Sequence, residues 1–135
     1  MVGSEFLVRS AVLQVAWSIL LGWSMLLPRQ PWGRRFQRLL HRGVTVAHVD
    51  WVVLALVQFA AAYALSLRPS PYESLIAMGV AFGGWVNPVP YFLRAFGVDA
   101  FSFSGGPMQR VASALGLLSV VALTVGWFSL VQAWL

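Results

Sequence analysis

Four stretches of this chain run almost without charge for the length of a bilayer crossing. A hydrocarbon core about 30 Å thick takes about 20 residues of apolar helix, and residues 6–27, 44–67, 72–95 and 108–135 each supply them. The last carries no charged residue from Val111 to Leu135. The second is closed by Arg68-Pro69-Ser70-Pro71, a helix stop followed by a tight turn. Between the first two spans, Phe36, Leu39 and Leu40 fall at i, i+3, i+4 with arginines around the rest of the circumference. That pattern predicts a short amphipathic helix lying in the headgroup plane. Lipid leaves no backbone polar group unpaired. The expected fold is therefore all-α: one domain over residues 1–135, forming an antiparallel bundle of four transmembrane helices with an interfacial helix between spans one and two.

Composition narrows the class. Of 135 residues, 59% are hydrophobic and 10% charged, more apolar than a soluble domain can cover with polar surface. The absence of cysteine excludes disulfides, thiolate metal sites and cysteine-ligated haem. All nine basic residues are arginine, and against four carboxylates they leave a net charge of +5. Five arginines lie in the first connection, and Arg94 and Arg110 flank the third, against Arg9 and Arg68 on the other side. That asymmetry reads as topology rather than as a nucleic-acid stripe, and it places the first and third connections in the cytoplasm. The expected location is a bacterial cytoplasmic membrane, with lipid and no nucleic acid as partner. Trp17, Trp23, Trp32, Trp127 and Trp134 read as interfacial or lipid-facing rings, and Gly79, Gly83 and Gly84 as points of close helix approach.

Polar groups inside the spans are where chemistry is expected, because each is costly in lipid. His48 lies about four residues inside span two, and Tyr91 about four residues from the end of span three. In an antiparallel bundle both sit roughly 6 Å below the same boundary, at 1.5 Å of rise per residue. Asn87 and Tyr91 are i, i+4 and share a face. Pro88 and Pro90 remove two N–H donors, push the residues before them out of the α region and free the carbonyls of Gly84 and Val86, so the span is expected to kink beside a pocket. The plainer alternative is a proline-terminated helix end. His48 has three readings: a packing residue, a proton carrier, or a ligand. One histidine cannot build a zinc site, but haem iron needs only one proximal histidine. Asp50, about 200° around the helix from His48, is expected to pair with Arg94 or Arg110, while Glu73 and Asp99 read as solvated helix ends. No two carboxylates are placed for acid–base work, and Ser102-Phe103-Ser104-Gly105-Gly106 lacks the context of a nucleophile elbow or a P-loop.

Ala47-His48 near the start of span two, followed about 36 residues later by Gly84-Trp85-x-Asn87-x-x-x-Tyr91, resembles the styrene oxide isomerases. The Phe- and Gly-rich segment 96–106 and the final apolar span fit the same family, so the resemblance covers spans two to four. It implies His48 as the axial ligand of ferric haem b, Tyr91 as the substrate-orienting residue and Asn87 as a further pocket position. It also implies a homotrimer with haem near the subunit interfaces, and a small apolar aromatic substrate. The implied reaction is a redox-neutral Meinwald rearrangement: iron acts as Lewis acid on an aryl epoxide, a benzylic cation forms, and a 1,2-hydride shift gives an aldehyde. A dry pocket would protect the cation, with Trp85, Tyr91, Phe92 and Phe96 as candidate π faces. The sequence departs from the family pattern at two places: Leu54 stands where a polar asparagine is usual, and Gly83 where an acidic residue precedes the Gly-Trp pair. The alternatives are a hydroxylaminobenzene-type mutase, from the wider group of small four-helix membrane proteins, a non-catalytic haem-binding membrane protein, and a helical bundle with no cofactor.

Overall fold

The computed structural model describes residues 2–135. Five α-helices carry the architecture: α1 (Val2–Ser24), α2 (Arg42–Leu67), α3 (Glu73–Val86), α4 (Val89–Arg94) and α5 (Pro107–Trp134). No strand occurs among the described residues. Four stretches are long and apolar enough to cross a membrane: residues 2–29, 42–67, 73–94 (α3 together with α4) and 107–134. They match the four spans read from hydropathy to within a few residues and are consistent with an integral membrane protein.

The packing follows side-chain size. α1 lies against α2 and α3, α3 against α2 and α5, and α4 docks on α2. One apolar cluster joins Leu7, Ala61, Leu65, Ile76, Val80 and Leu130, so all four spans contribute to it. A second, around Leu21, Val44, Ala47 and Trp51, receives Val89, Tyr91 and Phe92 from α4 and its approach. Small residues let the helices come close. A Cβ at Gly79 would lie 2.7 Å from the Ala122 carbonyl oxygen, and one at Gly83 2.8 Å from that of Ser119. The outer surface is apolar as well, with Leu20 and Phe128 about two-thirds exposed, as expected of helices whose solvent is lipid.

Several expectations change here. The Arg-rich connection is helical over Gly33–Leu40 and of the 3₁₀ type. It is tied back by Gln37 Nε2, which donates to the Pro28 carbonyl at 3.3 Å. Glu73 is not a solvated helix end. Its carboxylate accepts the N–H groups of Gly3 and Ser4 at 2.8 and 3.1 Å, satisfying donors that the first turn of α1 cannot use internally. Asp99 pairs with Arg94 at 3.7 Å and accepts the Phe101 N–H at 3.3 Å. Trp23, Trp32 and Trp134 do face outward, but Trp127 packs against the core cluster and Trp17 meets Trp51 edge-on at 5.7 Å.

Candidate functional site

The site begins with the interruption between α3 and α4. Pro88 has no N–H for the Gly84 carbonyl, and α3 ends at Val86. The chain does not swing into an extended conformation. Asn87 (φ −56°, ψ −38°) and Pro88 (φ −77°, ψ −15°) both stay in the α region, so the expected displacement of the residue before proline is absent. What proline removes is hydrogen bonding, and neighbouring helices replace it. Gln14 Nε2, from α1, donates to the Gly84 carbonyl at 2.9 Å and to the Trp51 carbonyl of α2 at 3.0 Å. Trp51 Nε1 donates to the Trp85 carbonyl at 3.0 Å, and Trp85 Nε1 donates to Ser10 Oγ at 3.0 Å. Gln58 Nε2 in turn donates to Gln14 Oε1. Gln14 and Gln58 are fully buried. Irregular backbone inside an apolar span is thereby held by side chains of α1 and α2, which is the condition under which lipid tolerates it.

Beyond the interruption, Asn87 and Tyr91 line one pocket of about 250 Å³ with Phe101, Phe103 and Leu117. Their shared face is as the i, i+4 spacing predicts. The Tyr91 ring lies 4.9 Å from that of Phe101. The Tyr91 hydroxyl makes no hydrogen bond within the described residues, and Asn87 has only a long 3.5 Å contact, in which Ser119 Oγ donates to its Oδ1. Two polar groups are thus available inside an aromatic, mostly apolar pocket. The π faces expected from Trp85, Phe92 and Phe96 are elsewhere. Trp85 turns to α1, and Phe92 packs against Trp51 and Phe96 at 6.0 and 5.3 Å. Phe101 and Phe103 take their place because the 97–106 loop folds back: Gly97 adopts φ 82°, and Ser113 Oγ donates to the Ser102 carbonyl at 2.9 Å.

His48 faces α1. A Cβ at Gly22 would lie 3.1 Å from His48 Cε1, so glycine at this point of α1 lets the imidazole lie against the helix. Its Nδ1 is buried without a hydrogen-bond partner, and Nε2 also has none within the described residues. A buried, unsatisfied imidazole nitrogen costs about 1–3 kcal/mol and calls for an explanation. Ile19, Gly22, Trp23 and Leu26 line a shallow apolar hollow of about 260 Å³ on α1, which shares Gly22 with the His48 contact but is not lined by His48 itself. The second histidine is already engaged. His41 Nδ1 accepts the Gly43 N–H at 3.0 Å and caps α2, which in the neutral ring leaves the proton on Nε2.

The sequence-predicted residues therefore divide. Asn87 and Tyr91 come together, whereas His48 lies outside the pocket they line. Asp50 forms no ion pair among the described residues, because Arg94 is turned to Asp99 and Arg110 Nε donates to the Gly105 carbonyl at 3.1 Å. Leu54 is half-buried, and the polar side chain that α2 does turn inward is Gln58, one turn further on. Gly83 stands where an acidic side chain would run into the Ser119 backbone of α5. Gln14 and Gln58 are the residues that sequence reasoning passed over. Their signal was visible, since an amide inside an apolar span is costly unless it is bonded.

A haem-type group would need one free imidazole, which His48 offers, and room for a macrocycle, which the hollow at Gly22 alone does not provide. Among the described residues, no group of three or more histidine and carboxylate side chains is placed to hold an ion. His48 is a single imidazole with no hydrogen bond to give up. No family model matches the chain, and neither a curated protein nor a solved structure is similar to it.

Proposed function

We propose that this chain is a haem b-dependent isomerase of a bacterial cytoplasmic membrane. In this reading it is an antiparallel four-helix bundle with the Gly33–Leu40 helix in the headgroup plane, and it converts a small aryl epoxide to an aldehyde. The observation that carries the reading is His48, a histidine inside an apolar span with neither ring nitrogen hydrogen-bonded. His48 would hold the iron. Bound haem would supply Lewis acidity toward an epoxide oxygen.

The remaining work falls to the chain's own side chains. The free Tyr91 hydroxyl orients the substrate oxygen by donating to it, and the Asn87 amide lines the same wall. Phe101 and Phe103 exclude water and turn π faces toward positive charge developing at the benzylic carbon. The hydride moves within the substrate, so no general base is required, in keeping with the lack of paired carboxylates. The hollow at Gly22 is too shallow to enclose a macrocycle, so a second copy of the chain must cover it. A homotrimer that brings His48 of one protomer toward Asn87 and Tyr91 of the next meets that need.

The experiment is an absorption spectrum of detergent-purified protein expressed with haem supply. A Soret band lost in His48→Ala and kept in His41→Ala is the expected result, and no band in the parent protein would end this reading. A second reading, a haem-binding membrane protein without catalysis, is favoured by the separation of His48 from the Asn87–Tyr91 pocket within one protomer. Anaerobic turnover of styrene oxide to its aldehyde separates the two.

A further inference from the structure

We propose that the cleft between the start of α2 and the end of α4 binds the phosphate of an anionic phospholipid. The inference rests on the membrane-spanning reading and is independent of haem or isomerase activity. The cleft, about 770 Å³, is bounded by His41, Arg42, Val46, Tyr91, Arg94 and Asp99. It exists because α2 and α4 meet here at backbone distance: Gly43 lies directly against the Tyr91 carbonyl, and the chain then turns away through Gly97.

Its charge is unbalanced. Arg42 makes no ion pair among the described residues. The one carboxylate in the cleft, Asp99, is engaged by Arg94 at 3.7 Å and by the Phe101 N–H. Another hollow, of about 430 Å³, lies at Phe96 close by, and Arg35 and Arg38 line it. Arg38 sits over the Phe96 ring at 5.7 Å and Arg94 over Phe101 at 5.1 Å, so both guanidiniums rest on aromatic faces. Two arginines, Arg42 and Arg94, thus flank one carboxylate at the positive end of the α2 dipole, and Arg35 and Arg38 add charge in the neighbouring hollow. Guanidinium forks match phosphate oxygens, two bonds at a time.

Position favours lipid over a free ion as the source. Arg42 begins one apolar span and Arg94 ends another, so the cleft lies at headgroup depth. Val46 adds an apolar side chain to the lining, a surface suited to the start of an acyl chain rather than to a hydrated anion.

The test reconstitutes the full chain in vesicles of equal phosphatidylcholine and phosphatidylglycerol, extracts it gently, and quantifies the lipid that stays bound. Phosphatidylglycerol is expected to be enriched, by about fivefold for each arginine engaged. The Arg42→Gln/Arg94→Gln variant should bring the ratio close to one. Arg9→Gln/Arg68→Gln, at the other ends of the spans, should leave it unchanged. If the double variant is not monodisperse, each single variant carries the test with about a fivefold loss. A wild-type protein that retains both lipids equally, or a double variant that keeps the enrichment, overturns the proposal. Displacement of phosphatidylglycerol by inorganic phosphate overturns the lipid assignment and makes the occupant a free oxyanion.

Discussion

Gln14 donates its side-chain amide to the carbonyl of Gly84 across 2.9 Å, supplying the hydrogen bond that Pro88 withholds. The same amide reaches the Trp51 carbonyl, less than one turn beyond His48 on α2. One side chain on α1 therefore ties the helix that carries His48 to the interruption that presents Asn87 and Tyr91. A proline break inside lipid leaves a carbonyl that water cannot solvate, so its partner must come from the protein. Gln14 is held in turn by Gln58, which fixes the direction of its amide.

Replacing Gln14 by leucine should therefore destabilise the bundle by about 2 kcal/mol, from an unsatisfied carbonyl and a stranded Gln58 amide. Gln58→Leu should cost less, because Gln58 Oε1 already lacks a partner and only one bond is lost. The double variant should cost clearly less than the sum of the two, since the partners are removed together. Unfolding in mixed micelles measures all three, and strict additivity would break the proposed coupling.

His41 should behave as a helix cap rather than as a haem ligand. Its Nδ1 accepts the Gly43 N–H at the start of α2. His41→Ala is expected to lower stability by about 1 kcal/mol and His41→Asn to restore most of it, because asparagine accepts the same bond. Thermal unfolding of the three proteins checks this, and a haem spectrum altered by His41→Ala would contradict that assignment.

What the sequence made legible has a physical boundary. Span positions follow from hydropathy over about 20 residues, and the break at Asn87-Pro88 from a missing N–H, both of which are local. Which way His48 points is not local: it depends on α1 presenting Gly22 to the imidazole. Matching depths for His48 and Tyr91 follow from counting residues, but their directions around the helices follow from packing. Phe101 and Phe103 reach Tyr91 only through the fold-back fixed by Gly97 and Ser113, contacts that no periodicity encodes. The arginine balance located a basic end, yet it could not show that Asp99 rather than Asp50 takes Arg94.

Gly43→Ala tests the approach of α2 to α4. The new methyl would run into the Tyr91 carbonyl, a backbone group that cannot rotate aside. Overpacking of this kind costs about 1–3 kcal/mol even though alanine favours the helix itself. A thermal midpoint unchanged or raised by Gly43→Ala would show that the two helices are not in contact. Gly106→Ala serves as the control, since a Cβ there meets nothing within 4 Å.

Tyr91 carries the sharpest prediction for the chemistry. Its hydroxyl is unpaired within the described residues, while its ring is packed against Phe101, so removing the oxygen alone should leave the pocket wall intact. Tyr91→Phe is expected to keep the Soret band and stability within about 0.5 kcal/mol, since no internal hydrogen bond is lost. Turnover of styrene oxide should fall by about ten- to a hundredfold, the effect of one missing hydrogen bond to a charge-developing oxygen. Tyr91→Ala should also open the wall shared with the basic cleft and lower stability by about 3 kcal/mol. Measuring turnover and spectrum on the same preparations separates the roles. An undiminished rate in Tyr91→Phe would reduce Tyr91 to a wall of the pocket.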